Sequence, residues 1–174
     1  MLRDLTRPTI TSVALLVFVV ILLLQLGEKD AGEGDEAAPT TFTAEVTRVV
    51  DGDTVEADID GREEDVRYIG VDTPESVKPD SAVECYGPEA ADFNRRLVEG
   101  KTVRMELGAE QRDQYGRVLA YVRLGDTFVN AELLRRGYAT TLTIPPNDEY
   151  AGQFDRLERE AAAEGRGLWE ECGP

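Results

Sequence analysis

The sequence predicts an α+β fold: five short strands closed into a small barrel, with three helices around it. Two observations predict this. Five separate stretches alternate apolar and polar residues with the period of a strand. Three longer stretches instead place apolar residues on one helical stripe, one after the third strand and two after the fifth.

Phe42–Val50 is the first strand, with Phe42, Ala44, Val46 and Arg48 expected on one face. Thr54–Ile59 follows, and Asp60-Gly61 turns the chain back as a hairpin. Asp65–Val71 is the third strand. Pro88–Val98 reads as a helix with Ala90, Phe93 and Leu97 on its stripe and Gly100 as its stop. Thr102–Leu107 and Val118–Leu124 complete the strands. Val129–Arg136 is a short helix ended by Gly137, and Pro145, Pro146 and Asn147 break the chain before a final helix, Asp148–Glu164. Tyr150, Phe154, Leu157 and Ala161 form the apolar face of that helix. Strands that short, with a helix inserted after the third, suit a closed barrel of the OB type. Such a fold proves no function by itself.

The chain has 174 residues, suited to one folded domain, and a leader. Ile10–Leu26 is apolar apart from Thr11, Ser12 and Gln25; its helix would span about 25 Å, the short end of a bilayer crossing. Arg3 and Arg7 precede it and acids follow, so residues 1–9 are expected in the cytoplasm and the body outside. A cleaved signal peptide fits the same segment and leaves a secreted protein. Residues 27–41, rich in Gly, Ala and acid, read as a tether before a domain at 42–174.

Histidine is absent, which excludes imidazole acid–base chemistry, His-based triads and His-ligated zinc. Two cysteines cannot make a Cys₃ or Cys₄ zinc site. Export permits a Cys85–Cys172 bridge, with two free thiols as the alternative. Any bound metal is then a hard ion held by oxygen. The net charge of −16 argues against a polyanionic substrate. Yet only Lys29, Lys78 and Lys101 are lysines, and acid-rich, lysine-poor chains resemble those of salt-loving organisms. There the Debye length is about 3 Å, so local charge in the site decides. A merely acidic, soluble surface is the other reading.

Three segments carry chemistry. Asp51-Gly52-Asp53-Thr54 joins the first two strands; alone it is an ordinary turn. Val66-Arg67-Tyr68-Ile69-Gly70-Val71-Asp72-Thr73-Pro74-Glu75 runs a strand with an arginine into two carboxylates. Asp113-Gln114-Tyr115-Gly116-Arg117 is a tight turn feeding a strand. Together they predict three carboxylates (Asp53, Asp72, Glu75) at one barrel mouth, which implies a cation, with Arg67 and Arg117 nearby. Phosphodiester hydrolysis needs that set: a cation, a carboxylate for water, and guanidinium forks for the phosphate oxygens. An EF-hand over Glu56–Arg67 fails, because its last ligand position holds Arg67.

On VVDGDT, VRYIGVDTPE, CYGPEA, DQYGR and the closing GLW, the sequence resembles the staphylococcal nuclease, or thermonuclease, family over about residues 42–169. The resemblance implies an OB-fold, Ca²⁺-dependent nuclease; DNA is the expected substrate, with RNA as the second candidate, and the domain is expected to be a monomer. It implies Asp53 and Asp72 as metal ligands together with the Thr73 carbonyl. Glu75 would handle the attacking water, and Arg67 and Arg117 would clamp the phosphate. Thr54, Asp113 and Tyr115 would support them, and the product would keep a 3′-phosphate. Two stretches depart from the family: Thr140–Pro145 stands where tyrosines are expected, and Ser76–Glu84 differs in composition. A barrel that binds nucleic acid without cleaving it, and a Ca²⁺-stabilised surface module, are the other classes open at this point.

Overall fold

A computed structural model describes residues 40–76 and 83–173. The anticipated cytoplasmic segment and membrane or signal segment, and nearly all of the tether, lie outside the described residues. Among the described residues no helix is long and apolar enough to cross a membrane.

Strand β1 (Thr41–Asp51) pairs antiparallel with β2 (Thr54–Ile59), and β2 with β3 (Arg62–Tyr68). The β2–β3 turn has Asp60 and Gly61 both at positive φ, 54° and 78°, which a two-residue hairpin of this hand requires. Strand β5 (Thr102–Arg112) pairs with β1 and with β6 (Val118–Leu124). A parallel pairing of β3 with β6, Val66 opposite Val118, closes the barrel. A short β7 (Thr127–Phe128) extends the sheet beyond β6. Val46, Val55, Val66, Val103, Met105 and Val122 fill the interior.

Helix α1 (Gly87–Val98) packs on β1; α2 (Val129–Arg135) packs on β6 and on α3 (Ala151–Ala163). Helix α3 buries Phe154, Leu157 and Ala161. A one-turn α4 (Leu168–Glu171) ends the described chain.

Four expectations change. The first strand does not hold one alternation to its end: a register shift between Val46 and Arg48 leaves Arg48 exposed and paired with Glu56. The extra residue moves Val49 and then Asp51 to the buried side. The expected strand Asp65–Val71 is two elements. Gly70, at φ 79°, lies so close to Phe154 that a Cβ would sit 2.6 Å from its ring, and the chain bends there. Beyond the bend, β4 (Gly70–Asp72) leaves the barrel to pair with β8 (Thr140–Leu142), a strand with no signal of its own in the sequence. The fourth expected strand runs on to Arg112 instead of stopping at Leu107. The last long helix starts at Ala151, because Asp148–Tyr150 form the turn before it.

Candidate active site

The bend at Gly70 and the β1–β2 turn bring two of the three segments together. Gly52 faces Thr73 so closely that a Cβ would lie 2.6 Å from its hydroxyl. That approach lets the Thr73 N–H and hydroxyl donate to Asp53 Oδ2, at 2.7 and 3.0 Å. Thr54 donates to the other oxygen at 3.0 Å. Asp53 is buried, and these bonds replace the water it gives up.

Arg67 lies on β3 opposite Thr54. Its guanidinium donates to the Tyr68 and Val71 carbonyls at 3.0 and 2.7 Å. It also approaches Asp53 Oδ2 at 3.2 Å and donates to Asp72 Oδ1 at 2.7 Å. One cation therefore stands between two carboxylates, with its own side chain 13% exposed. Fixed by four groups, it is pre-organised.

Asp51 is buried at the end of β1. It accepts bonds from the Gly52 N–H at 2.8 Å and from the Ser76 hydroxyl at 2.6 Å. Burial first, then a hydrogen bond shared with Glu75 and the charge of Asp53, push its carboxyl up to about 6, against the lowering effect of its two donors. Burial also holds Asp72 above the usual carboxylate range. Arg67 opposes this, while Asp53, Glu84 and Glu75 add to it. The β1 end and the Asp72–Glu75 bend thus form a crowded patch of negative charge. Among the described residues no three acidic or thiol side chains are placed to hold a metal ion. The expected three-carboxylate cage is therefore not formed as the side chains stand, because Arg67 lies between Asp53 and Asp72, and Asp53 is engaged by Thr54 and Thr73.

The third segment is a turn between β5 and β6, with Gly116 at φ 88°. The Asp113 carboxylate accepts the Tyr115 N–H at 2.9 Å, the Arg117 N–H at 3.0 Å and Arg117 Nε at 2.6 Å. The bonds to Arg117 and to the turn's N–H groups hold Asp113 below its ordinary value, outweighing its partial burial. Arg117 lies 5.6 Å from the centre of the Tyr115 ring, and that ring is 76% exposed.

Arg67 and Arg117 line one cavity of about 350 Å³. Tyr115, Leu142 and Ile144 line it too, and all three are exposed. Leu142 and Ile144 belong to the Thr140–Pro145 stretch, so the wall there is aliphatic. Cys85 and Cys172 form a disulfide, with Cα atoms 5.8 Å apart.

Several residues at the site carried no functional signal in the sequence. Ser76 holds Asp51. Asn94, fully buried on α1, accepts from the Tyr68 hydroxyl at 3.3 Å and donates to the Asp51 carbonyl at 3.4 Å. Asn130 ties the Val122 N–H to the Ile69 carbonyl, both at 2.9 Å. An amide on an apolar helical stripe, as Asn94 is relative to Ala90 and Val98, is the one cue that would have marked it.

The family described as staphylococcal nuclease homologue matches residues 65–171. The chain is 45% identical over 125 residues to the thermonuclease of Staphylococcus intermedius, covering 72% of this chain and 74% of that one. It is 41% identical over 127 residues to the thermonuclease of Staphylococcus hyicus, covering 73% and 75%. It is 38% identical over 128 residues to endonuclease YncB of Bacillus subtilis, covering 72% of this chain and 61% of that one. Barrel, charged bend and arginine turn thus meet a match across most of the domain: the chain belongs to the staphylococcal nuclease family.

Proposed function

We propose that this chain is a Ca²⁺-dependent endonuclease that cleaves DNA and RNA outside the cell and leaves 3′-phosphate ends. Nuclease activity, a hydrolysis of phosphodiester bonds, follows from the family. The finer reading rests on one observation: two arginines from separate segments, Arg67 on β3 and Arg117 in the β5–β6 turn, line a single cavity beside a patch of carboxylates.

Donor chemistry at that patch fits a hard divalent ion. Every nearby acidic group offers oxygen, and the Asp51 and Asp72 carboxyls are held above their ordinary range, a strain that a cation relieves. Asp53, Asp72 and the Thr73 carbonyl would hold the ion, with Thr54 fixing Asp53 from behind. When bound, it would neutralise phosphate charge and polarise the phosphorus–oxygen bond.

The chain's own residues supply the rest. The guanidiniums of Arg67 and Arg117 bind the non-bridging oxygens, and their bonds strengthen as negative charge builds on the phosphate. Glu75 orients the attacking water and takes its proton. The water oxygen bonds to phosphorus as the bond from phosphorus to the 5′-oxygen breaks; that oxygen takes a proton from solvent to leave as a 5′-hydroxyl, and the phosphate stays on the 3′ side. Asp113 aims Arg117 through its bond to Nε, which leaves the two terminal nitrogens of that guanidinium for the phosphate. Tyr115 flanks it. The leader at residues 10–26 would either anchor the domain at the outer face of the membrane or be cut to release it, and the domain would work as a monomer.

The test uses the full chain with plasmid and single-stranded DNA, with Ca²⁺ and then with a chelator. Cleavage that stops on chelation supports this reading. Retarded but intact DNA overturns it in favour of a binding barrel.

A further inference from the structure

Residues flanking Cys85 hold the main chain of Glu75. Glu84, one residue before Cys85, grips that main chain in both directions. Its N–H donates to the Glu75 carbonyl at 2.9 Å, and its carboxylate accepts the Glu75 N–H at 3.0 Å. Gly87, two residues after Cys85, packs on the same spot, so that a Cβ there would lie 2.6 Å from the Glu75 carbonyl oxygen. Tyr86 between them sits at φ 70°, a left-handed conformation that a non-glycine residue adopts only when its surroundings impose it.

Cys172 supplies the other end of the restraint. It ends α4, and its N–H donates to the Leu168 carbonyl at 3.0 Å. Leu168 N–H in turn donates to the Gly137 carbonyl at 2.9 Å. Gly167 and Gly137 pack backbone to backbone there, where added Cβ atoms would come within 2.4 and 2.1 Å of carbonyl oxygens. A covalent and tightly packed path therefore runs from the end of α2, through α4 and the disulfide, to Glu84 and Glu75.

We propose that Glu84 is a positioning residue for Glu75 and that the Cys85–Cys172 disulfide holds it there, so that nuclease turnover depends on the redox state of this bond. The proposal rests on the reading of Glu75 as the residue that handles water. Cys85 is exposed and Cys172 half-buried, so a dithiol reaches the bond. Reduction breaks the S–S bond and gives two thiols, and the dithiol leaves as its cyclic disulfide. Arg67 and Arg117 are held by other elements, so phosphate binding persists while Glu75 loses its placement.

The experiment measures kcat and KM on single-stranded DNA for the full chain, oxidised, reduced by dithiothreitol, and re-oxidised, with folding followed by circular dichroism. Expected on reduction is a fall in kcat of about ten- to a hundredfold, the scale of a misplacement of about 1 Å, with KM within about twofold and kcat restored on re-oxidation. Glu84→Ala, with the disulfide intact, should lower kcat alone in the same way. Glu84→Gln, which keeps an acceptor for the Glu75 N–H, should recover most of that loss. These two variants decide the matter if the reduced chain unfolds. Unchanged kcat in reduced, folded protein, or a Glu84→Ala effect confined to KM, overturns the inference. Glu75→Gln separates the two levels: if it cleaves as well as the native chain, the reading of Glu75 itself fails; if it is inactive while reduction and Glu84→Ala change nothing, only the positioning role fails.

Discussion

Asp51 is the last residue of β1 and Asp113 the first residue after β5, and each turns its carboxylate back onto main-chain N–H groups of its own turn. Their electrostatics are opposite. Asp51 is buried among Asp53 and Glu75, and its carboxyl is pushed up to about 6. Asp113 has Arg117 on its second oxygen and is held below its ordinary value. The arginines of the two regions differ in the same sense. Arg67 is locked among two carboxylates and two carbonyls with 13% of its side chain exposed, whereas Arg117 has one carboxylate partner and 32% exposed. One end of the cleft thus carries negative charge it cannot neutralise itself, which calls for a cation. The other is balanced and half open, which suits a guanidinium waiting for phosphate.

The largest test of that contrast is Arg67→Ala. It removes the base beside buried Asp53, and a lost partner of a buried ion pair costs roughly 3–5 kcal/mol. Cleavage should fall by at least about 10³-fold, the upper range for losing one donor to developing charge. Denaturant unfolding and kinetics on the same sample check both, and a fully stable variant would mean that Asp53 does not need Arg67.

Arg117→Lys should separate rate from stability. An ammonium cannot supply the fork, so kcat should fall about 10²–10³-fold. Unfolding free energy should stay within about 0.5 kcal/mol, since the position is on the surface. A stability loss as large as that of Arg67→Ala would erase the difference between the two regions.

The two aspartates should also answer pH in different windows. Asp51 binds its proton more tightly folded than unfolded, so its contribution is present at low pH and is lost as pH rises through about 6. In Ca²⁺-free buffer the melting temperature should therefore rise between pH 7 and pH 5, and Asp51→Asn should flatten that rise. Asp113 does the reverse. Its stabilising effect is present above the ordinary value of 3.8 and is lost only as pH falls through its depressed folded value. A native profile that slopes downward from pH 7 to 5 would contradict the placement of Asp51. The smallest effect is expected from Tyr115→Ala, a loss of about 0.5–1 kcal/mol of cation–π support for Arg117, seen as a few-fold rise in KM without a change in melting temperature.

Much of the fold was legible because its strands obey period two and its turns use Gly, Asp and Pro where dihedrals demand them; Thr54–Ile59 and the Asp60-Gly61 turn are read without error. What was not legible depends on contacts distant in sequence. The break at Gly70 requires Phe154, strand β8 exists only because β4 is there to pair with it, and the shift near Arg48 is a property of the β1–β2 pair. The same holds at the site. Arg67, Asp72 and the Asp113–Arg117 turn are local patterns, whereas Asp51, Ser76 and Asn94 acquire their roles only when separate segments meet.

Ca²⁺ titration by calorimetry at pH 6, in two buffers of different ionisation enthalpy, tests most directly whether the crowded end of the cleft is built for a cation. The native chain should bind Ca²⁺ and release protons, because a carboxyl held at about 6 is half protonated there. The Asp53→Asn, Asp72→Asn double variant should do neither. Absence of binding by the native chain, or equal binding by the double variant, would contradict the account.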